Sequence, residues 1–217
     1  MNWLMNTTRK VLLTTWYQAT RPYRWWFARS AAAAGRAPVM VLFYHRVADR
    51  PRNAWTISTG EFRRHIEWLR PEFDLVDLAE AQRRIREGNT RPTVSITFDD
   101  GYADNMKTAL PLLIREKIPF TYFVTLRNVV TGEPFPHDTA AGAPLAPNSL
   151  EEICGLAEAG VEIGGHTRTH IDLSKVNNPE VILDEVVTAT AELDQLINRT
   201  IRYFAVPYCM PPACPPI

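Results

Sequence analysis

The chain has 217 residues, 46% hydrophobic and 10% aromatic, enough for one large globular domain with a core and room for an arm. Its 24 basic and 24 acidic residues cancel, but residues 1–37 hold six basic side chains and no acid, so the remainder, with 18 basic and 24 acidic residues, carries a net charge of minus six. No basic stripe continues into the main body, no apolar run approaches the ~18 residues of a membrane span, and Cys154, Cys209 and Cys214 give neither a disulfide framework nor a zinc ribbon, which sets aside nucleic-acid binding, an integral membrane protein and a disulfide scaffold.

The first segment, 1–37, is a basic, Trp-rich arm in which Arg9, Lys10, Arg21, Arg24, Arg29 and Arg36 are interleaved with Trp3, Trp16, Tyr17, Tyr23, Trp25, Trp26 and Phe27. Two readings stand: peripheral contact with an anionic membrane, where amphipathic rings sit at headgroup depth, or a terminal helix whose aromatics pack on the domain wall. Val11-Leu12-Leu13 and Ala31–Ala34 loosely imitate a secretion signal, but the apolar core is short and Arg21 and Arg24 interrupt it. An uncleaved N-terminus and a cytoplasmic or peripheral-membrane location are expected.

From Val39 on, strand and helix patterns alternate. Val39–Tyr44 is a continuous apolar run, as in a strand buried on both faces. Helical spacing follows over Glu61–Leu69 and Leu78–Glu87, the second stopped by Gly88, and then a strand over Val94–Phe98 and a helix over Asp104–Lys117. Phe120–Val124 reads as a strand, 126–147 as a long irregular stretch, and Asn148-Ser149 as the start of a helix ending at Gly160. A strand over Val161–Gly164, an amphipathic helix over Pro179–Asn198 and a fifth strand over Arg202–Val206 complete the pattern. Such alternation predicts an α/β fold with a parallel sheet, its active site at the C-terminal strand ends, and the 126–147 stretch as a pocket wall.

Two of those strand ends carry the chemistry. Ser95-Ile96-Thr97-Phe98 runs into Asp99-Asp100-Gly101, and the Val161–Gly164 strand runs into His166 and His170. An acidic pair before glycine is by itself an ordinary turn, and a lone histidine pair is usually solvated loop. Together, at the same end of one sheet, one carboxylate and two imidazoles form the facial set that holds a hydrolytic divalent metal, leaving a second carboxylate beside it as a base.

The sequence resembles the polysaccharide deacetylase family, the NodB-homology domain or carbohydrate esterase family 4. Thr97-Phe98-Asp99-Asp100-Gly101 matches its first motif, His166-Thr167-Arg168-Thr169-His170 its second, Phe204-Ala205-Val206-Pro207-Tyr208 the start of its third, and Tyr44-His45-Arg46-Val47 a pattern of one branch. The resemblance implies a distorted (β/α) barrel over 38–208, incomplete at its C-terminus, that removes N-acetyl or, less often, O-acetyl groups from a polysaccharide or glycan. By that analogy Asp100, His166 and His170 hold one divalent ion, with Zn2+ preferred over Co2+, Ni2+ or Mn2+, Asp99 is the general base, and a backbone N–H near Tyr208 stabilises the oxyanion. The arginine that orients the base in many members is replaced by Ala205, with Arg202 out of register, and the glycine after Pro-Tyr is replaced by Cys209. The family's final catalytic histidine has no counterpart beyond Tyr208. His137 substitutes for it by position only and reads better as a loop residue capped by Asp138; His45 reads as a hydrogen-bonding group behind the ligands, and His65 as structural. The Pro- and Cys-rich 209–217 segment reads as an aberrant tail produced by a shifted frame or early stop, so that a catalytically impaired remnant, binding metal or glycan without turnover, stands as the alternative function. A third option is deacylation of a small sugar or lipid-linked glycan.

Overall fold

This computed structural model describes residues 2–208, with side chains for Arg9 and from Val11 onward; the 209–217 tail lies outside the described residues. The arm forms two helices, α1 (Asn2–Ala19) and α2 (Arg21–Ala33), the second begun by Pro22 in its first turn. No side chain of α2 is buried, and Trp16, Tyr17, Tyr23, Trp25, Trp26 and Phe27 are all exposed, so among the described residues the arm aromatics are not packed on the domain. The arm joins the domain through an Arg36–Asn89 bridge and the buried Ala37, whose N–H donates to the Asn89 carbonyl at 2.8 Å. Among the described residues no helix is long and apolar enough to cross a membrane.

The domain then runs β1 (Val39–Tyr44), β2 (Arg46–Val47), β3 (Thr56–Ile57), α3 (Thr59–Glu72), β4 (Asp74–Leu75), α4 (Leu78–Glu87), β5 (Thr93–Phe98), a 3-10 turn (Ala103–Lys107), α5 (Ala109–Arg115) and β6 (Phe120–Val124). It continues through α6 (Leu126–Thr131), α7 (Pro136–Ala140), α8 (Leu150–Glu158), β7 (Glu162–Gly165), α9 (Pro179–Leu183), a π-helical turn (Asp184–Thr188) and α10 (Ala189–Ile197). Local chemistry sets these boundaries. Ser58 and Ser149 form capping boxes with Glu61 and Glu152, each serine receiving the N3 amide and each glutamate receiving the cap amide. Asp77 caps α4, and Gly88, at φ 104°, ends it in a conformation that a side chain would strain.

The sheet is parallel, in the order β1-β5-β6-β7. β1 pairs with β5 along all six residues, and β4 and β6 share the opposite edge of β5. Helices pack on one face through Phe62, Ile66, Leu69, Leu110, Leu113, Ile153, Leu156 and Leu193, which meet Val94, Ile96, Phe98 and Tyr122 in a single core.

Four expectations are corrected. β1 is not buried on both faces: among the described residues it has a neighbour on one side only, and Val41 and Phe43 are 51% and 57% exposed while Leu42 and Tyr44 pack on the core. The fifth strand reduces to a bridge at Phe204, flanked by bonds from Gly165 N–H to the Tyr203 carbonyl and from Ala205 N–H to the Gly165 carbonyl. Pro207 has no N–H with which to extend it. Stretch 126–147 contains α6, which buries Leu126 and Val129 and ends at the left-handed Gly132, and α7, started by Pro136. The predicted 104–117 helix divides at Thr108 (φ −143°) into a 3-10 turn and α5. The result is an arc of a (β/α) barrel, open among the described residues between β1 and Phe204.

Candidate metal centre

Strand β5 delivers the carboxylates through a tight reversal. Gly101 N–H donates to the Asp99 carbonyl at 2.9 Å, with Asp100 between them at φ 73° and Gly101 at φ 80°. Adjacent strand residues would face opposite sides. The positive φ of Asp100 itself, and not of glycine alone, brings both carboxylates to one end of the sheet. Gly101 serves a second need, since a Cβ there would lie 3.1 Å from Val124 Cγ1.

Strand β7 delivers the imidazoles. His166 N–H donates to the Val124 carbonyl, then Thr167 (φ 63°) and His170 (φ 59°) turn the chain so that both rings face Asp100. The turn is held by His170 N–H on Thr167 Oγ1 at 2.9 Å. It is also held by the buried Glu185, whose carboxylate accepts from Arg168 N–H, Thr169 N–H (both 2.9 Å) and Thr169 Oγ1 (2.6 Å). Glu185 lies in the π-helical turn, the kind of helix irregularity that often accompanies functional sites. Arg168 anchors the same turn outward on Asp184 and Glu192.

The three expected ligands converge. His170 Nε2 and His166 Nε2 lie 3.1 and 3.4 Å from Asp100 Oδ1, and one donor atom from each residue falls within 4.8 Å of the others. Ligands bonded at about 2.0–2.1 Å to a common ion sit roughly 3.0–3.4 Å apart in octahedral or tetrahedral arrangement, so the spacing fits a metal. The opposite ring nitrogens are occupied: His166 Nδ1 is 2.9 Å from the Ala205 carbonyl and His170 Nδ1 3.2 Å from Tyr208 Oη. With the first of these, Nδ1–H donates to the carbonyl and Nε2 is left as a lone pair aimed at the site. Asp100 Oδ1 is buried and has no hydrogen bond of normal geometry among the described residues. Burial opposes ionisation of Asp100, yet the two imidazoles outweigh it and hold the carboxyl well below the usual range. Burial likewise works against a charged His166, while Asp100 and Asp99 overcome it and push that pKa up. An anionic oxygen with two convergent nitrogens is the electrostatic setting a cation requires.

Asp99 has a different environment. Burial raises its pKa, with His166 and His45 acting against the shift. Its position is fixed by the bond from its N–H to the Tyr44 carbonyl at 2.9 Å. His45 stands one residue past the paired strand ends Tyr44 and Phe98, level with Asp99, its ring stacked on Trp55 at 4.7 Å. A recess of about 190 Å3 opens beside them, lined by Phe43, His45, Trp55 and Ile57.

The scaffold behind His45 was not visible in the sequence reading. Asn105 Nδ2 donates to the His45 carbonyl, and Val47 N–H donates to Asn105 Oδ1, both at 2.8 Å. Arg46, fully buried, binds Asp104 Oδ2 through Nε at 2.7 Å and through Nη2 at 2.5 Å, and its Nη1 donates to the Pro51 carbonyl. Asp104-Asn105 follows the acidic motif by four residues, and that proximity was the available signal.

Other candidates fall as follows. Tyr208 reaches the site, its ring 4.8 Å from that of His170. Arg202 does not: it pairs with Glu162 at the surface, and so does not stand in for the arginine that the family resemblance puts at position 205. His137 is not simply capped by Asp138. It stands on the first turn of α7, its ring 5.7 Å from His170 and Nε2 3.2 Å from the Tyr102 hydroxyl, which donates to Asp138 at 2.8 Å. The 126–147 stretch is therefore a wall of the site, with Phe135 packed edge-on to His170. His65 is structural, 3.3 Å from the Tyr44 hydroxyl.

Comparison with known proteins identifies relatives of the chain as a whole. The sequence profile described as polysaccharide deacetylase matches residues 86–211, more than half of the chain. The Bacillus subtilis (strain 168) protein YxkH, a polysaccharide deacetylase by name, is 24% identical over 174 residues, covering 79% of this chain and 57% of that one. The chitooligosaccharide deacetylase of Bradyrhizobium sp. (strain ANU 289) is 27% identical over 137 residues, covering 62% and 54%. The chain thus spans little more than half the length of these curated relatives. Among solved structures, IcaB from Ammonifex degensii superposes with a TM-score of 0.67 at 28% identity, covering 81% of this chain and 76% of that one. The Streptococcus pyogenes deacetylase PplD superposes at 0.63 with 20% identity, covering 78% and 73%, and supports the fold. With its acidic and histidine motifs folded into one centre inside the matched region, the chain belongs to the polysaccharide deacetylase family.

Proposed function

We propose that this protein is a divalent-metal-dependent deacetylase acting on an acetylated glycan, with Asp100, His166 and His170 as the ligands. The observation that carries the reading is the convergence of Asp100 Oδ1, His166 Nε2 and His170 Nε2 beside a second carboxylate whose pKa is raised. A divalent ion held there, Zn2+ by preference, would lower the pKa of a water from about 15.7 toward about 7 and polarise the acetyl carbonyl. Asp99 is placed to accept the proton of an attacking water. His45, on the far side of Asp99 from the ligands and carried by a rigid scaffold, supplies the proton to the leaving amine. Tyr208 buttresses His170 and contributes its backbone N–H to the developing oxyanion. Trp55, 54% exposed beside His45, offers a flat apolar face for a sugar ring in the adjoining recess.

This assignment leaves the acid in place, so the reading as an inactive remnant is not adopted. The test is acetate release by the purified, Zn2+-loaded chain from an N-acetylated chitooligosaccharide and from an O-acetylated xylooligosaccharide in parallel. Release from the first assigns amide hydrolysis, and release from the second ester hydrolysis. A folded, stoichiometrically loaded protein that releases acetate from neither would sink the proposal.

A further inference from the structure

We propose that α1 and α2 dock the protein on the surface of an anionic phospholipid bilayer. This inference does not rest on the deacetylase reading. Trp16, Tyr17, Tyr23, Trp25, Trp26 and Phe27 are between 54% and 65% exposed, and Val11, Leu12 and Leu13 between 55% and 65%. Single exposed apolar residues need no explanation, but a concentration of rings on two helices without a buried α2 side chain marks a surface that something covers.

Charge identifies the occupant. Residues 1–37 hold six basic side chains and no acid, against a net minus six for the remainder, so the apolar surface carries all of its charge in one sign. The guanidinium of Arg24 lies 3.6 Å from the Tyr17 ring centroid and donates to the Tyr17 carbonyl at 2.7 Å, and that of Arg29 lies 4.8 Å from the Trp25 centroid. Rings and cations are thus interleaved at one level. A bilayer interface offers that combination: an acyl boundary for the rings, anionic headgroups for the arginines, and room for long side chains to keep their charges in water. Nucleic acid fits less well, because its phosphate backbone offers no acyl boundary for the exposed Val11, Leu12 and Leu13. Insertion across the bilayer is excluded for the described helices, which leaves a peripheral mode.

The experiment uses the full 217-residue chain in co-sedimentation with vesicles of phosphatidylcholine alone or mixed with phosphatidylglycerol, at low and high salt. Intrinsic tryptophan fluorescence is recorded alongside. Two variants are compared, W25S/W26S/F27S and R21E/R24E; none of these side chains is buried, and circular dichroism verifies the fold. Binding to the mixed vesicles, a blue shift, relief by salt, and a loss of affinity of about tenfold or more in each variant are expected. Absence of binding, equal binding to neutral vesicles, or binding that both variants retain overturns the proposal. So does arm-dependent self-association or oligonucleotide binding in place of lipid binding, since each assigns the surface to another occupant.

Discussion

His45 and Asp99 stand level on neighbouring strands: Tyr44 and Phe98 are register partners at the ends of β1 and β5, and the Asp99 N–H donates to the Tyr44 carbonyl at 2.9 Å. The two residues therefore emerge at the same end of the sheet, and their proposed roles separate by substitution. His45→Asn should leave bound metal unchanged and lower turnover by about 10²–10⁴-fold, the usual worth of a general acid. The loss should shrink for an activated ester substrate whose leaving group needs no proton. Metal analysis with rates on amide and ester substrates checks this; equal losses on both would remove His45 from the acid role.

Asp99 and Asp100 are adjacent in sequence and opposite in electrostatics, one pKa raised by burial and the other held low by two imidazoles. Asp99→Asn should retain the ion and lose turnover, because an amide cannot take the water's proton. Asp100→Asn should lose the ion, since the anionic member of the ligand set is gone, and chelation of the wild type should reproduce its inactivity. Atomic-emission metal analysis and acetate release on both variants test the split. Equal metal loss in the two would reverse the assignment.

The site was legible in the sequence to the extent that it is made of contiguous motifs. Thr97–Gly101 and His166–His170 are short, lie at strand ends, and need only local turns to present their side chains. What sequence could not show is how those turns are held. Glu185 bonds Arg168 and Thr169 but lies 17 and 16 positions from them, on an amphipathic helix where its charge reads as solvated surface. The fifth strand was misread because a β-favouring composition at Arg202–Val206 says nothing about whether a partner edge is available. The exposed Val41 and Phe43 teach the same point for β1: an apolar run predicts a strand, while burial depends on neighbours.

Glu185 gives a test of the turn that presents the histidines. It accepts three hydrogen bonds from Arg168 and Thr169 while being almost fully buried. Glu185→Ala should weaken metal affinity by about 10–100-fold, as is typical when a partner behind the ligands is lost. Glu185→Gln, which keeps one acceptor oxygen, should fall between that variant and wild type. Competition with a chromophoric chelator reads affinity directly, independently of catalysis. Unchanged affinity in Glu185→Ala would show that Thr167 Oγ1 and the backbone suffice.

The Arg46–Asp104 pair holds the His45 segment against the turn after the acidic motif, and its charge is set by the surroundings. Burial works against ionised Asp104, but Lys107 and Arg46 outweigh it and lower its pKa. A carboxylate whose pKa is depressed on folding stabilises the protein above its unfolded value, about 3.9, and that stability is lost as pH falls through the folded value. At neutral pH, Asp104→Asn should cost about 3 kcal/mol, the low end for breaking a buried pair, because Asp104 is partly exposed and Arg46 keeps its bond to the Pro51 carbonyl. The difference between wild type and variant should begin to narrow below about pH 4, as the unfolded chain's carboxyl takes up a proton, and close as pH falls through the lower value of the folded Asp104. Urea denaturation of both proteins across that pH range measures it. A gap that stays constant on acidification would mean that packing around Arg46, and not the ion pair, fixes the segment that carries His45.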